Sequence, residues 1–352
     1  MGWSRDVTGG PDPLVAYVGW HRRGNLGDDA MYDAVRSQLP EATFVDLPFF
    51  PDEVVTAAAR GLNRSLRRSS RAAQILGGGT VVGRRPWRRC VKRGTRFTNK
   101  GSYAIGIGVE DPVVIPLWGG GGKDELKQWK PLLSEFQIVS VRGPRSAELL
   151  ADIGLDVQVS GDPALLLPRP DVVPEDGLIG VNVGFGDGVI WGHDRAALAE
   201  EVSIAIKQLS SQGHRFVGIL MNSKDKRWTE IALKDVAADI VLPEDAVAAA
   251  REMARCSATI VSRLHAGILA SLSDTPAISL GYQTKCRDFA LSIDNAEYVI
   301  RTDQLSAAAV VDMVGSALAD APHIRSKTRA GVTRLRQRLQ SEYDTVREQL
   351  GL

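Results

Sequence analysis

Short apolar runs alternate with amphipathic stretches along almost the whole chain. The segments 14–19 (LVAYVG), 42–48 (ATFVDLP), 72–79 (AAQILGGG), 102–109 (SYAIGIGV), 137–143 (QIVSVRG) and 157–163 (VQVSGDP) read as strands. Helical patterns fall between them at 29–39, 51–66, 124–133 and 144–152. Strands that are apolar on both faces, each followed by a helix, form a parallel sheet covered on both sides. The Pro- and acid-rich stretch 168–177 (PRPDVVPEDG) is the candidate linker. A second series follows, with strands at 178–184, 215–221, 239–243, 258–264 and 276–282, a helix at 195–212 and further helices between. In the tail, Val332, Leu335, Leu339, Tyr343, Val346 and Leu350 recur every three or four residues and form one helical stripe. The pattern predicts an α/β protein with two doubly wound, Rossmann-like domains, 1–170 and 171–322, facing a cleft, and an amphipathic C-terminal helix over 323–352.

Composition narrows the class. The chain has 352 residues, a formal net charge of +1, 44% hydrophobic and 24% charged residues. That balance excludes a collagenous, disordered or supercharged protein, and near-neutral charge argues against a dedicated nucleic-acid binder. Cys90, Cys256 and Cys286 are far apart and form neither a CxxC pair nor a zinc spacing, which points to a reduced, intracellular protein. The polar N-terminus lacks an apolar signal region. Asp6 stands where an N-myristoylation signal wants Ser or Thr. No apolar run reaches the ~18 residues of a membrane span. The expected location is the cytoplasm. Arg exceeds Lys and Ala is abundant, as in proteins of GC-rich bacterial genomes.

Two facing parallel sheets place a cleft at their carboxyl ends, so the strand-to-helix turns carry the candidate chemistry. The first turn, GWHRRGNLGDDA (19–30), holds Gly24 and Gly27 for tight geometry and the adjacent acids Asp28 and Asp29. One of these acids is expected to cap the helix and the other to serve as a base or acceptor-binding group. His21, Arg22 and Arg23 add cationic reach. The run GGGT (77–80) brings Gly78 and Gly79 to a turn where backbone N–H groups at a helix start suit anions. WGGGGK (118–123) is not an ATP-hydrolysing P-loop, since Leu117 replaces the leading glycine and Asp124 follows Lys123.

SVRGPRS (140–146) sets Arg142 and Arg145 at the sheet edge, where planar guanidinium groups match carboxylate or phosphate oxygens. The alternative is an ion pair with Asp152 or Asp162. In SRLHAG (262–267), Arg263 and His265 alternate in an extended segment and so share one side, just before a helix over 266–272. Lys285, in GYQTK, follows the next strand, as a cleft cation or as a solvated loop lysine. Together these turns describe a pocket for a small, doubly anionic ligand. Acids are scarce around it except at Asp28–Asp29, and no metal is required.

The set GNLGDDA, GGGT, YAIGIGVE, VRGPRSAELL, GDPALLLP and SRLHAGILASLSDTPAISLGYQTK resembles the polysaccharide pyruvyl transferases in order and spacing. The resemblance implies a glycosyltransferase-B-like fold that binds phosphoenolpyruvate between an acceptor-side N-terminal domain and a donor-side C-terminal domain. It implies transfer of the pyruvyl group, as a ketal, onto two hydroxyls of a sugar in a cell-surface polysaccharide or glycolipid, with no further cofactor. It maps the family's essential Asp onto Asp28, in a motif shared with Asn25, and its basic residues onto Arg142, Arg263, His265 and Lys285. A further arginine falls at Arg67, Arg68 or Arg71, with Arg68 carried as the candidate substrate-binding residue. On this reading His265 binds phosphate and acts as the acid, Arg142, Arg263 and Lys285 hold the anions, and Asp28 deprotonates or orients the sugar hydroxyl. The basic segment 83–97 departs from the family pattern. The Arg64–Arg96 region is either a face for an anionic lipid-linked acceptor or membrane, or a solvated, partly paired surface. The rival functions are a nucleotide-sugar glycosyltransferase of the same build and a non-catalytic partner that keeps the fold.

Overall fold

The structure is a computed structural model that describes residues 13–47, 71–112, 122–186, 190–191 and 194–352. Its first sheet is built from β1 (Leu14–Val18), β2 (Thr43–Asp46), β3 (Ala72–Gly77), β4 (Thr80–Val82), β5 (Ser102–Val109), β6 (Ile138–Val141) and β7 (Gln158–Val159). The order is β2-β1-β3-β5-β6-β7, with β4 paired to β5. The second sheet, β8 (Glu175–Asn182), β9 (Arg215–Ile219), β10 (Ala238–Val241), β11 (Cys256–Val261), β12 (Ala277–Gly281) and β13 (Val299–Arg301), runs β10-β9-β8-β11-β12-β13. Every pairing is parallel. Each sheet grows to one side from its first strand and then to the other, so β1 and β8 mark the two switch points where ligands of such sheets bind. The central strands β3 and β5 are buried along their whole length, as their unbroken apolar runs require. Residues 167–174 join the sheets without helix or strand.

The helices, in chain order, are α1 (Leu26–Gln38), α2 (Arg85–Gly94), α3 (Gly122–Leu133), α4 (Pro144–Ala151), α5 (Arg195–Ser211), α6 (Lys226–Leu233), α7 (Ala246–Ala254), α8 (Leu264–Leu272), α9 (Thr284–Ser292), α10 (Ala307–Ala319) and α11 (Ala321–Leu350). The last buries the whole predicted stripe from Val332 to Leu350. It starts on the second sheet's layers, where Arg329 pairs with Asp274 at 2.8 Å, and ends on the first. There Glu342 accepts hydrogen bonds from Ser140 and Ser160 at 2.8 and 2.6 Å. Arg71 donates to the carbonyls of Leu350 and Gly351 at 2.7 and 2.5 Å, closing the C-terminal end. One helix thus straps both sheets together.

Two local expectations change, and a segment with no assigned element takes form. Helix α1 begins at Leu26, because the Asn25 side chain, and neither Asp28 nor Asp29, caps it by accepting from the Gly27 N–H at 3.2 Å. The glycines of GGGT lead into the short strand β4 rather than into a helix. The basic segment forms α2, whose buried face is Trp87, Cys90, Val91 and Gly94. The expected helix at 51–66, Arg67, Arg68 and most of WGGGGK lie outside the described residues. Among the described residues no helix is long and apolar enough to cross a membrane.

Candidate active site

The two switch points meet. The start of α1 docks on the second sheet through a hydrogen bond from the Leu26 N–H to the Met221 carbonyl at 3.0 Å. Opposite it, α8 begins at Leu264, so His265 sits in the first helical turn. A side chain at Gly27 would put its Cβ 2.2 Å from His265 Nδ1, so only glycine admits the imidazole here. Asp28 follows directly and is tied to the Asn25 amide, which donates to it at 2.5 Å. Burial pushes Asp28 up to about 6, against the opposing pull of the His265 and Lys285 charges and the Asn25 hydrogen bond. Asp28, His265 and Lys285 therefore form one electrostatic cluster drawn from three distant turns.

The expectation that Arg263 and His265 share one side does not hold, because the strand ends before them. Arg263 is the extended cap residue of α8 and His265 is helical, so the side chains diverge. Arg263 reaches the buried carboxylate of Asp225, with Nε at 3.0 Å and Nη2 at 2.5 Å from Oδ1. Burial would lower its pKa, but Tyr282 and Asp225 more than offset that and hold it raised. His265 turns toward Asp162, with Nε2 3.6 Å from Oδ2 and without a hydrogen-bond partner among the described residues. Lys285 lies over the ring of Tyr282, 5.0 Å from its centroid.

Arg142 is almost wholly buried at 1% exposure, with Nη1 3.4 Å from Asp162 Oδ2 and Nη2 3.3 Å from the Thr80 hydroxyl. The ion-pair alternative with Asp162 is therefore realised, and Arg142 meets the cleft through that carboxylate. Burial alone would raise Asp162, yet His265, Arg142 and the Ala164 N–H outweigh it and hold the carboxyl below 3.8. Arg145 is not brought into the cluster. Its guanidinium binds Asp111 and Glu148, both at 2.9 Å, which raises its pKa. The turn between the two arginines is closed by Asp288 of α9, which accepts from the backbone N–H of Arg145 at 2.7 Å and from the Ser146 hydroxyl at 2.6 Å. A Cβ at Gly143 would collide with Asp288 at 2.2 Å, which explains the glycine of VRGP.

Gly78 and Gly79 both take positive φ, +74° and +77°, and pack on Met31. The Gly79 N–H faces Met31 Sδ at 3.1 Å, so this turn offers its amide to a thioether. His21 is held by Asp46 at 2.9 Å and stacks on Tyr32, while Arg22 and Arg23 lie over Tyr32 and Trp20. Acids are not scarce at this cleft: Asp162, Asp225 and Asp288 are all buried in it. They answer the physical requirement that a buried guanidinium or an uncapped helix start have a partner.

The sequence profile of the polysaccharide pyruvyl transferase family matches residues 25–284, from the cap of α1 to the start of α9. The chain belongs to that family. No curated protein matches it. Among solved structures it resembles S. aureus MnaA in complex with UDP (10% identity, TM-score 0.61, 90% of each chain covered). It also resembles UDP-GlcNAc 2-epimerase from Neisseria meningitidis bound to UDP-GlcNAc (10% identity, TM-score 0.56, 90% of this chain and 93% of that one). A UGT transferase from Siraitia grosvenorii in complex with UDP is similar too (11% identity, TM-score 0.55, 96% of this chain and all of that one). Identities this low establish the shared glycosyltransferase-B-type fold alone. The family span holds Asn25, Asp28, Arg142, Asp162, Asp225, Arg263 and His265, and it ends one residue before Lys285.

Proposed function

We propose that this pyruvyl transferase uses phosphoenolpyruvate as donor and closes a pyruvate ketal on two hydroxyls of a sugar in a cell-surface polysaccharide or glycolipid, releasing phosphate. The observation that carries the reading is the seating of His265 against Gly27, which sets an imidazole beside Asp28 at the facing switch points. The donor has a carboxylate and a phosphate. Lys285 and the Arg263 guanidinium, whose Nη1 makes no hydrogen bond among the described residues, would meet them, with the first amides of α8 beside them.

Protonated His265 gives its proton to the methylene carbon of the donor, and positive character develops at the neighbouring carbon. The first sugar hydroxyl adds there as Asp28 takes its proton. The second hydroxyl then attacks the same carbon and the carbon–oxygen bond to phosphate breaks. One hydroxyl proton replaces the one given up by His265 and the other leaves on hydrogen phosphate, so two C–O bonds and one C–H bond form without any oxidant. Asp162 keeps a negative charge 3.6 Å from the imidazole throughout and holds the ring in place. It is a positioning residue.

In isothermal titration phosphoenolpyruvate is expected to bind and UDP and GDP are not; with a sugar acceptor, phosphate release should accompany a pyruvate-sized mass gain of the sugar. Binding of UDP in place of phosphoenolpyruvate would establish the nucleotide-sugar reading, and binding without turnover on any acceptor the non-catalytic one. Gly27→Ala provides a local test. Its methyl group must displace the His265 ring, at about 1–3 kcal/mol of overpacking. Phosphate release is expected to fall by at least an order of magnitude, as a misplaced acid predicts. Unchanged turnover would remove His265 from the reaction.

A further inference from the structure

Helix α2 carries a surface that the transfer reaction does not use. Between Gly83 and Phe97 the chain has seven cations and no acid. The structure sorts them. Arg84 pairs with Glu110 and Arg88 with Glu125, at 2.6 Å each. Arg85, Arg89, Lys92 and Arg96 are exposed and have no acidic partner among the described residues. At 3.6 residues per turn, Arg85, Arg89 and Lys92 fall within an arc of about 60°. That arc lies opposite Trp87, Cys90, Val91 and Gly94, which anchor the helix in the core. Arg96 extends the row past the helix end.

The adjoining loop adds an interfacial residue. Trp20 is 36% exposed, meets Trp87 edge-on at 6.1 Å between ring centroids, and has the Arg23 guanidinium 4.4 Å over its ring. Trp20 belongs to the same turn as Asn25 and Asp28, so this surface borders the mouth of the candidate site.

We propose that the exposed row Arg85–Arg89–Lys92–Arg96, with Trp20 beside it, docks the protein on an anionic phospholipid bilayer. A single convex row of cations suits a flat charged surface, where each contributes independently. Tryptophan beside it is the side chain that settles at a membrane–water interface. A nucleic-acid strand would need a groove and aromatic faces for stacking, and the one aromatic ring of α2 is turned into the core. Docking here brings the site's mouth to the membrane, where a lipid-linked acceptor resides. The surface itself does not depend on the proposed chemistry.

The test is co-sedimentation of the full chain with vesicles, in the absence of substrates. Binding is expected to mixed phosphatidylglycerol–phosphatidylcholine vesicles and not to phosphatidylcholine alone. It should disappear at molar salt, where the screening length shrinks to about 3 Å. Each cation near an anionic surface is worth about a fivefold change in partition, so Arg89→Gln with Lys92→Gln lowers it roughly 25-fold. The same double variant is expected to keep native thermal stability and native turnover on a water-soluble acceptor. Equal binding to both vesicle types, native binding by the folded double variant, or tighter binding to a single-stranded oligonucleotide than to anionic vesicles would each overturn the proposal.

Discussion

Asp28→Asn is expected to make the protein more stable above pH 6 while lowering turnover by a factor of about 10²–10⁴. Both effects follow from one carboxyl group. Burial raises Asp28 from 3.8 to about 6, so the folded state holds this proton more tightly than the unfolded chain. As pH rises from the unfolded value toward 6, the unfolded chain releases its proton first and stability falls. Above 6 the group is ionised in both states and the penalty is constant, on the order of 2–3 kcal/mol. Asparagine keeps an oxygen to accept from Asn25 and never ionises, so it escapes that penalty. Thermal unfolding checks this directly: the variant should gain several degrees at pH 8 and little at pH 4. In the native enzyme the rate should climb with pH through about 6, as Asp28 becomes able to accept a hydroxyl proton. That limb should be absent from the variant's residual activity. A variant with native stability at both pH values and native turnover would strip Asp28 of its role.

The same residue shows what the sequence could and could not carry. Parallel sheets were legible because β3 and β5 are apolar on both faces, and the crossover helix α11 because its stripe repeats over about five turns. Helix α2 was hidden, since cations fill half of its positions and only Trp87, Cys90 and Val91 mark the inner face. The motifs GNLGDD and SRLHAG lie on turns that the fold brings together, but their sequence does not show how they fit. That Gly27 exists for His265, 238 positions later, becomes visible only when the two sheets are set face to face. Two of the buried acids, Asp225 and Asp288, were missed for the same reason. Asp225 serves Arg263 across 38 positions and Asp288 caps α4 across 142 and 143, distances over which spacing carries no signal. Asp162 had one local sign, an acid before proline at the end of a strand, which is how the short 3₁₀ turn at Pro163–Leu166 is capped.

Asp162→Ala is expected to be among the most destabilising single substitutions in the chain, at about 3–5 kcal/mol. Asp162 is fully buried, and its Oδ2 lies 3.4 Å from Arg142 and 3.6 Å from His265 while Oδ1 accepts from the Ala164 N–H at 3.0 Å. Removing it strands a buried guanidinium whose Nε already lacks a partner. The interaction is a pair rather than two independent assets, so Arg142→Met combined with Asp162→Asn should lose less than the sum of the single losses in urea unfolding. Strict additivity would show that the ion pair is incidental. The sign with pH is opposite to that of Asp28. Asp162 is held below 3.8 in the folded state, so its stabilisation is complete above that value and fades only as the solution is acidified through the folded pKa. The gap between native protein and variant should therefore narrow in strong acid. Turnover separates positioning from packing. Asp162→Asn keeps the cap on Ala164 but withdraws the charge facing His265, so kcat should fall while KM for phosphoenolpyruvate stays near native. A change in KM alone would instead place Asp162 among the groups that bind the donor.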